Sequence, residues 1–201
     1  FPGPLFPKFT HANDAEVKIR SGHSLEAEFS IRMKEGLPYR TERYSRSDIE
    51  RAVGSICPSF EIVGKRFEGP APGAGFRLIA DGGANVASVM GAAIEDWSAF
   101  DLTDHHMTLS VNDETVVEGS SSALLWDHIF DAASWLACQP ALANRGVLAG
   151  DALPLWRPWR GCHTRAGHGA VWRRDGVKPI RGFALKQTIR QMYMYRLLKS
   201  V

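Results

Sequence analysis

No apolar run in this chain of 201 residues approaches the ~20 residues that a membrane-spanning helix needs. A helical membrane span is thereby excluded. The first residues, Phe1-Pro2-Gly3-Pro4-Leu5-Phe6-Pro7, have neither the basic start nor the continuous apolar segment of a secretory signal. There is also no initiating Met, so we expect the chain to begin inside a longer protein. Cysteine is scarce: Cys57, Cys138 and Cys162 are odd in number, widely spaced and form no CxxC pair. They read as reduced thiols of a cytoplasmic protein and offer no zinc site. Internal repeats, heptad runs and a phosphate-binding Gly-Lys loop are also missing from the sequence, and no regular βαβ alternation suggests a doubly wound sheet.

What is present is the composition of an ordinary globular domain, 44% hydrophobic and 23% charged. The formal net charge of +2 conceals an asymmetry. Residues 1–152 hold 13 Lys/Arg against 21 Asp/Glu, whereas residues 153–201 hold 11 against 1. We therefore divide the chain into a main domain, 1–152, and an atypical basic segment, 153–201.

Along the main domain, Leu25 to Met33 alternates apolar and polar side chains as a strand does. Ser47-x-x-Glu50 has the form of a capping box, and Ile49, Ala52, Val53 and Ile56 predict a helix over 47–56 that Pro58 ends. Phe60 to Val63 reads as a strand and 69–75 as a Gly- and Pro-rich loop. A further strand is expected from Val86 to Ala93. His106 to Val111 and Glu114 to Glu118, flanking Asn112-Asp113, read as a hairpin. Ser121 to Ala143 carries the longest helical pattern, closed by Asn144-Arg145-Gly146. Strands outnumber helices, so the expected fold class is mixed α+β and β-rich.

The chemistry centres on Leu25-Glu26-Ala27-Glu28-Phe29-Ser30-Ile31-Arg32-Met33. A side-chain period of two sends Glu26 and Glu28 to one face, with Cα atoms roughly 6.5–7 Å apart. Such a pair can chelate a hard cation, or it can be the solvated acidic face of an amphipathic strand. Glu61, set among Phe60, Ile62 and Val63, is a candidate third ligand, because a buried acid needs a partner or a metal. Its alternative is a salt bridge to Lys65 or Arg66.

These residues also resemble a family. Leu25-Glu26-Ala27-Glu28-Phe29, Gly36-Leu37-Pro38, Pro58-Ser59-Phe60-Glu61-Ile62-Val63-Gly64-Lys65-Arg66 and Ile79-Ala80-Asp81 are similar to successive motifs of the 2-keto-4-pentenoate hydratases. That group belongs to the fumarylacetoacetate hydrolase superfamily. The likeness continues through Asn112 to Gly119 and Asp127 to Ala137, and ends at Gly150-Asp151. It implies a fumarylacetoacetate-hydrolase-like mixed β-sandwich roll with a few flanking helices, and a homo-oligomer. It further implies Mg²⁺ or Mn²⁺ held by Glu26, Glu28 and Glu61, and Asp81 as an acid near the site, in a tentative catalytic role. The implied activity is hydration of a small 2-hydroxy-2,4-dienoate or 2-oxo-4-enoate in aromatic meta-cleavage catabolism. A 2-oxo acid decarboxylase, a C–C hydrolase of the same superfamily and a non-catalytic partner subunit are the alternatives. Neither nucleic acid nor membrane is an expected partner of the main domain. His105 and His106 match no family role and read as solvated.

Three departures stand out. The usual Asp-Asn-Ala is replaced by Asp81-Gly82-Gly83-Ala84, residues 1–24 contain no match to the family's Lys-x-Gly segment, and the closing Ser/Thr-Gly strand is absent after Asp151. Loss of a positioned proton-transfer group typically costs ~10²–10⁴ in rate. In the basic segment every Trp-Arg pair, at 156–157, 159–160 and 172–173, encodes Gly when read one base later. A shifted frame over 153–162 permits a Ser-Gly motif like the missing one, so we expect this ending to be out of frame. The rival is a basic amphipathic arm, with Gln187 to Lys199 facing a membrane or nucleic acid.

Overall fold

The structure, a computed structural model, describes residues 3–13, 15–18, 20, 22–64, 66, 79–111, 114–123, 127–155 and 164–165. In chain order its principal elements are β1 (Thr10–His11), β2 (Ser24–Met33), α1 (Arg46–Ala52), β3 (Val53–Val63), β4 (Asn85–Met90), β5 (His106–Val111), β6 (Glu114–Ser120), α2 (Ile129–Ala137), β7 (Ala152–Leu155) and β8 (Thr164–Arg165). Among the described residues, β1, β4, β3, β2 and β7 lie side by side in that order, and β8 also pairs with β2. β1 runs parallel to β4 and the other pairings are antiparallel, so the sheet is mixed. The predicted mixed α+β, β-rich class is the one observed.

The alternation of the acidic segment decides which face the helices cover. Phe29, Ile31 and Met33 of β2 pack with Ile56 and Phe60 of β3, Leu153 and Leu155 of β7, and with Ile49, Ala52, Ile129, Phe130, Ala133 and Ala137 from the two helices. Leu25 and Ile62 extend the same face into a smaller cluster with Val17 and Ala87. The opposite face of β2 and β3 carries the carboxylates and hydroxyls. Both faces are removed from water along most of β2, where Arg32 is the one exposed residue between Leu25 and Met33.

Several element boundaries depart from the sequence reading. The helix predicted over 47–56 spans Arg46–Ala52 only, and the chain passes straight into β3. Ile49, Ala52, Val53 and Ile56 fit a helical spacing, yet Val53 and Ile56 are β-branched and find better packing on a pleated surface. The capping box is Ser45 with Asp48, not Ser47 with Glu50: Asp48 N–H donates to Ser45 Oγ at 3.2 Å, and Ser45 N–H donates to an Asp48 carboxylate oxygen at 3.2 Å. Pro58 ends no helix. It sits within β3, with its carbonyl accepting from Gly91 N–H at 2.8 Å just past the end of β4.

β4 closes at Met90 rather than Ala93. The long helix predicted over 121–143 is shorter too: Ser121–Ala123 and Pro140–Leu142 are 3-10 turns, and α2 begins where the His128 ring nitrogen accepts from Phe130 N–H at 3.1 Å. The predicted hairpin is present as β5 and β6. The domain boundary placed at 152 falls on the first residue of β7. The 69–75 loop and nearly all of the basic segment, with the amphipathic stretch 187–199, lie outside the described residues.

Candidate metal centre

Antiparallel pairing of β2 with β3 does what spacing alone could not. Glu26 lies directly opposite Glu61, and Glu28 opposite Ser59. Directly opposed residues have Cβ atoms about 4.5–5.5 Å apart, so Glu61 joins the Glu26 and Glu28 pair on the same face. Continuing along that face, Ser30 lies opposite Cys57 and Ser88 of β4 lies opposite Glu61. Sequence reasoning thus named three acids that the sheet register brings together.

Burial sets their electrostatics. Glu26 and Glu28 are only 5% and 3% exposed, which overturns the solvated-face reading of this strand. β2 is buried on both faces, and alternation of polarity does not distinguish a wet face from a polar buried one. Glu28 has its carboxyl pushed well above the ordinary range by burial first, then by repulsion from Glu61 and Glu26. Burial raises Glu61 to about 7, with the charge of Glu26 adding to the rise and the Asn85 amide opposing it. A cation set among these groups would relieve both the repulsion and the burial cost.

Among the described residues, the Arg66 salt bridge that sequence offered for Glu61 is not the contact found. Asn85 Nδ2 donates to Glu61 Oε1 at 2.8 Å, while Arg66 pairs with Asp81 at 3.2 Å. Lys65 lies outside the described residues. Asp81, with its side chain 4% exposed, precedes a 3-10 turn before β4 and also holds Arg66 through its backbone carbonyl at 2.6 Å. Its Oδ2 is buried with no hydrogen-bond partner among the described residues. Asp81 is therefore linked to Glu61 through Arg66 and Asn85.

His105 is a second correction. It is fully buried, with its ring edge-on to Phe100 at 5.9 Å between centroids, where a solvated histidine was expected. The hydroxyl of Ser121 accepts from its backbone N–H at 2.6 Å, tying the start of the hairpin to its end. The side chain of His106 lies outside the described residues. Cys57, on the acidic face, has its thiol pushed up to about 11 by burial and so carries no nucleophilic charge near neutral pH.

Beside the acids, Ser30 Oγ and Ser59 Oγ are hydrogen-bonded to each other at 2.7 Å. Oxygen donors of this kind suit a hard divalent cation. In their present rotamers, no three His, Cys, Asp or Glu side chains among the described residues are drawn together tightly enough to hold an ion. Each Glu has three side-chain torsions through which the carboxylates could converge on an ion.

No family model matches this sequence. Among solved structures, 4-oxalocrotonate decarboxylase from Pseudomonas putida G7, complexed with calcium and acetate, superposes with a TM-score of 0.62 at 20% identity, over 81% of this chain and 59% of that one. The same decarboxylase complexed with magnesium and adipate gives the same figures. A protein from Yersinia pestis CO92 assigned to the fumarylacetoacetate hydrolase family superposes with a TM-score of 0.53 at 14% identity, over 79% of this chain and 70% of that one. The chain has the fumarylacetoacetate-hydrolase fold. It spans about three fifths of the decarboxylase's length. Among the described residues, no helix of this fold is long and apolar enough to cross a membrane.

Proposed function

We propose that this chain is a metal-dependent member of the fumarylacetoacetate hydrolase superfamily, in which Glu26, Glu28 and Glu61 hold Mg²⁺ or Mn²⁺ and the substrate is a small 2-oxo or 2-hydroxydienoate acid. The observation that carries the reading is the cross-strand pairing of Glu26 with Glu61 beside Glu28, on one buried face of this fold. A bound divalent ion supplies Lewis-acid stabilisation of negative charge on the substrate's 2-oxygen. The chain's own contribution is to hold three carboxylates at fixed register, so that the ion and the acid bound to it meet one geometry. Glu26 and Glu28 are nearly removed from water, which strengthens the interaction of their oxygens with charge. Asp81 Oδ2, buried and without a hydrogen-bond partner among the described residues, is the proposed acceptor of a proton at the margin of the site.

Hydration of a 2-hydroxydienoate is the primary activity proposed. Decarboxylation of a 2-oxo acid is the second, favoured by the fold match to 4-oxalocrotonate decarboxylase. We expect the full chain with Mg²⁺ to consume the absorbance of 2-hydroxypenta-2,4-dienoate, and Glu28→Ala to lose that activity by at least ~10²-fold. Release of CO₂ from 4-oxalocrotonate without loss of the dienoate would assign the decarboxylase instead. Metal binding with neither activity would assign a non-catalytic partner subunit. Absence of metal binding would overturn the reading as a whole.

A further inference from the structure

Asn85 owes its place to an unusual turn. Gly82, Gly83 and Ala84 all have positive φ, at 65°, 76° and 66°. The two glycines adopt that region freely, whereas Ala84 is strained there. Such a turn delivers Asn85 as the first residue of β4, opposite Val63 and next to a break in the β3 register between Ile62 and Val63. The side-chain amide then reaches back along β3. One Nδ2 donates to Glu61 Oε1 at 2.8 Å and to Ser88 Oγ at 3.2 Å.

The turn is also clamped from outside. Arg66 donates to the backbone carbonyl of Asn85, to that of Asp81 at 2.6 Å and to Asp81 Oδ1 at 3.2 Å, so one guanidinium spans both ends of the turn. Gly64 N–H adds a bond to the Ala84 carbonyl at 2.9 Å. No comparable side-chain donor is needed merely to close a 3-10 turn. The clamp fixes the backbone from which the amide is aimed at a carboxylate.

We propose that Asn85 is a positioning residue for the metal ligand Glu61, held on target by the Arg66 clamp and by the left-handed turn at 82–84. The inference rests on the reading of Glu61 as a ligand. Donation to one carboxylate oxygen leaves the other, syn or anti, to face the ion, and prevents Glu61 from turning away from Glu26. Groups that orient metal ligands in this manner typically contribute about 10–100-fold in metal affinity.

The test is a double-variant cycle on Mn²⁺ affinity, measured by electron paramagnetic resonance of free ion with the full chain and independent of turnover. Asn85→Ala is expected to weaken Mn²⁺ at least about tenfold in the native background. In the Glu61→Gln background the same change is expected to have less than a twofold effect, whereas in Glu28→Gln it keeps its full effect. Equal losses in all three backgrounds would overturn the proposal, because Asn85 would then act through general stability. Native affinity in Glu61→Gln would instead reject Glu61 as a ligand, which separates failure of the site from failure of the positioning. Should Asn85→Ala not fold, Arg66→Gln runs the same cycle with Asn85 in place. A loss confined to backgrounds that retain Glu61 supports the clamp, and no loss contradicts it.

Discussion

Glu28→Gln is expected to weaken Mn²⁺ or Mg²⁺ binding by at least about 10²-fold while raising the melting temperature of the metal-free protein. Both halves follow from one arrangement. Glu28 is 3% exposed and shares its face with two further carboxylates, so without a cation its charge is held at a cost set by burial and repulsion. Glutamine keeps the shape and removes the charge, which relieves that cost. A gain of 1 kcal/mol would raise the melting temperature by about 2–4 °C in a chain of this size. On the proposed ligand set, Glu28 would be one of three charged donors to the ion, and affinity for a hard cation depends on how many it finds. Thermal melts with and without Mn²⁺, beside a binding titration, check both effects. A destabilised metal-free variant with unchanged Mn²⁺ affinity would show that Glu28 serves the fold and not an ion.

The metal-free protein is expected to lose stability as pH rises from about 5 to 7.5, and added Mg²⁺ to reverse that trend. The sign comes from Glu61. Its carboxyl is raised from 4.5 to about 7 on folding, so the folded chain binds the proton more tightly than the unfolded chain does. That contribution is fully present below the unfolded value and is lost as pH climbs through about 7. For Glu61 alone it amounts to about 3 kcal/mol, and Glu28 shifts in the same direction. Mg²⁺ competes with these protons, so its affinity grows across the same interval, and at a hundred times its dissociation constant it returns ~2.7 kcal/mol. Chemical denaturation at pH 5, 6, 7 and 7.5 with chelator or with Mg²⁺ measures both curves. Stability that is flat or rising with pH in chelator would contradict the electrostatics assigned to this face.

Much of this was legible in the chain because β2 states its own periodicity. Leu25, Ala27, Phe29, Ile31 and Met33 took the helix-covered side as alternation required, and the hairpin around 112–113 followed from the strands that flank it. The acids were legible as individuals, and their grouping came from the apolar setting of Glu61 and from family resemblance, not from spacing. Opposition of Glu26 to Glu61 is a property of antiparallel register across 35 residues, which no local pattern encodes. Burial of the acidic face was misread for a related reason: polarity in sequence reports what a side chain is, whereas tertiary packing decides whether its face is covered.

Short apolar spacings misled where two periods coincide. Ile49, Ala52, Val53 and Ile56 satisfy a helix, and only the β-branched run with Pro58 hints that the chain has already become a strand. Asn85, proposed above as a positioning residue, was not singled out in the sequence at all. Its signal was present in Gly82-Gly83, since paired glycines ahead of a strand mark a turn with positive φ, but the target of the amide depended on the β3 to β4 register. Asp81 was found by resemblance, and the structure gives it Arg66 as its partner.

The central claim is that the face formed by β2 and β3 holds a divalent ion. Anomalous scattering from a crystal of the full chain grown with Mn²⁺ tests it most directly, because the peak reports the ion and its neighbours together. The account predicts a peak with carboxylate oxygens of Glu26, Glu28 and Glu61 at about 2.0–2.3 Å. Well-ordered glutamates on that face with no Mn²⁺ peak between them, at a concentration that saturates binding in solution, would contradict it.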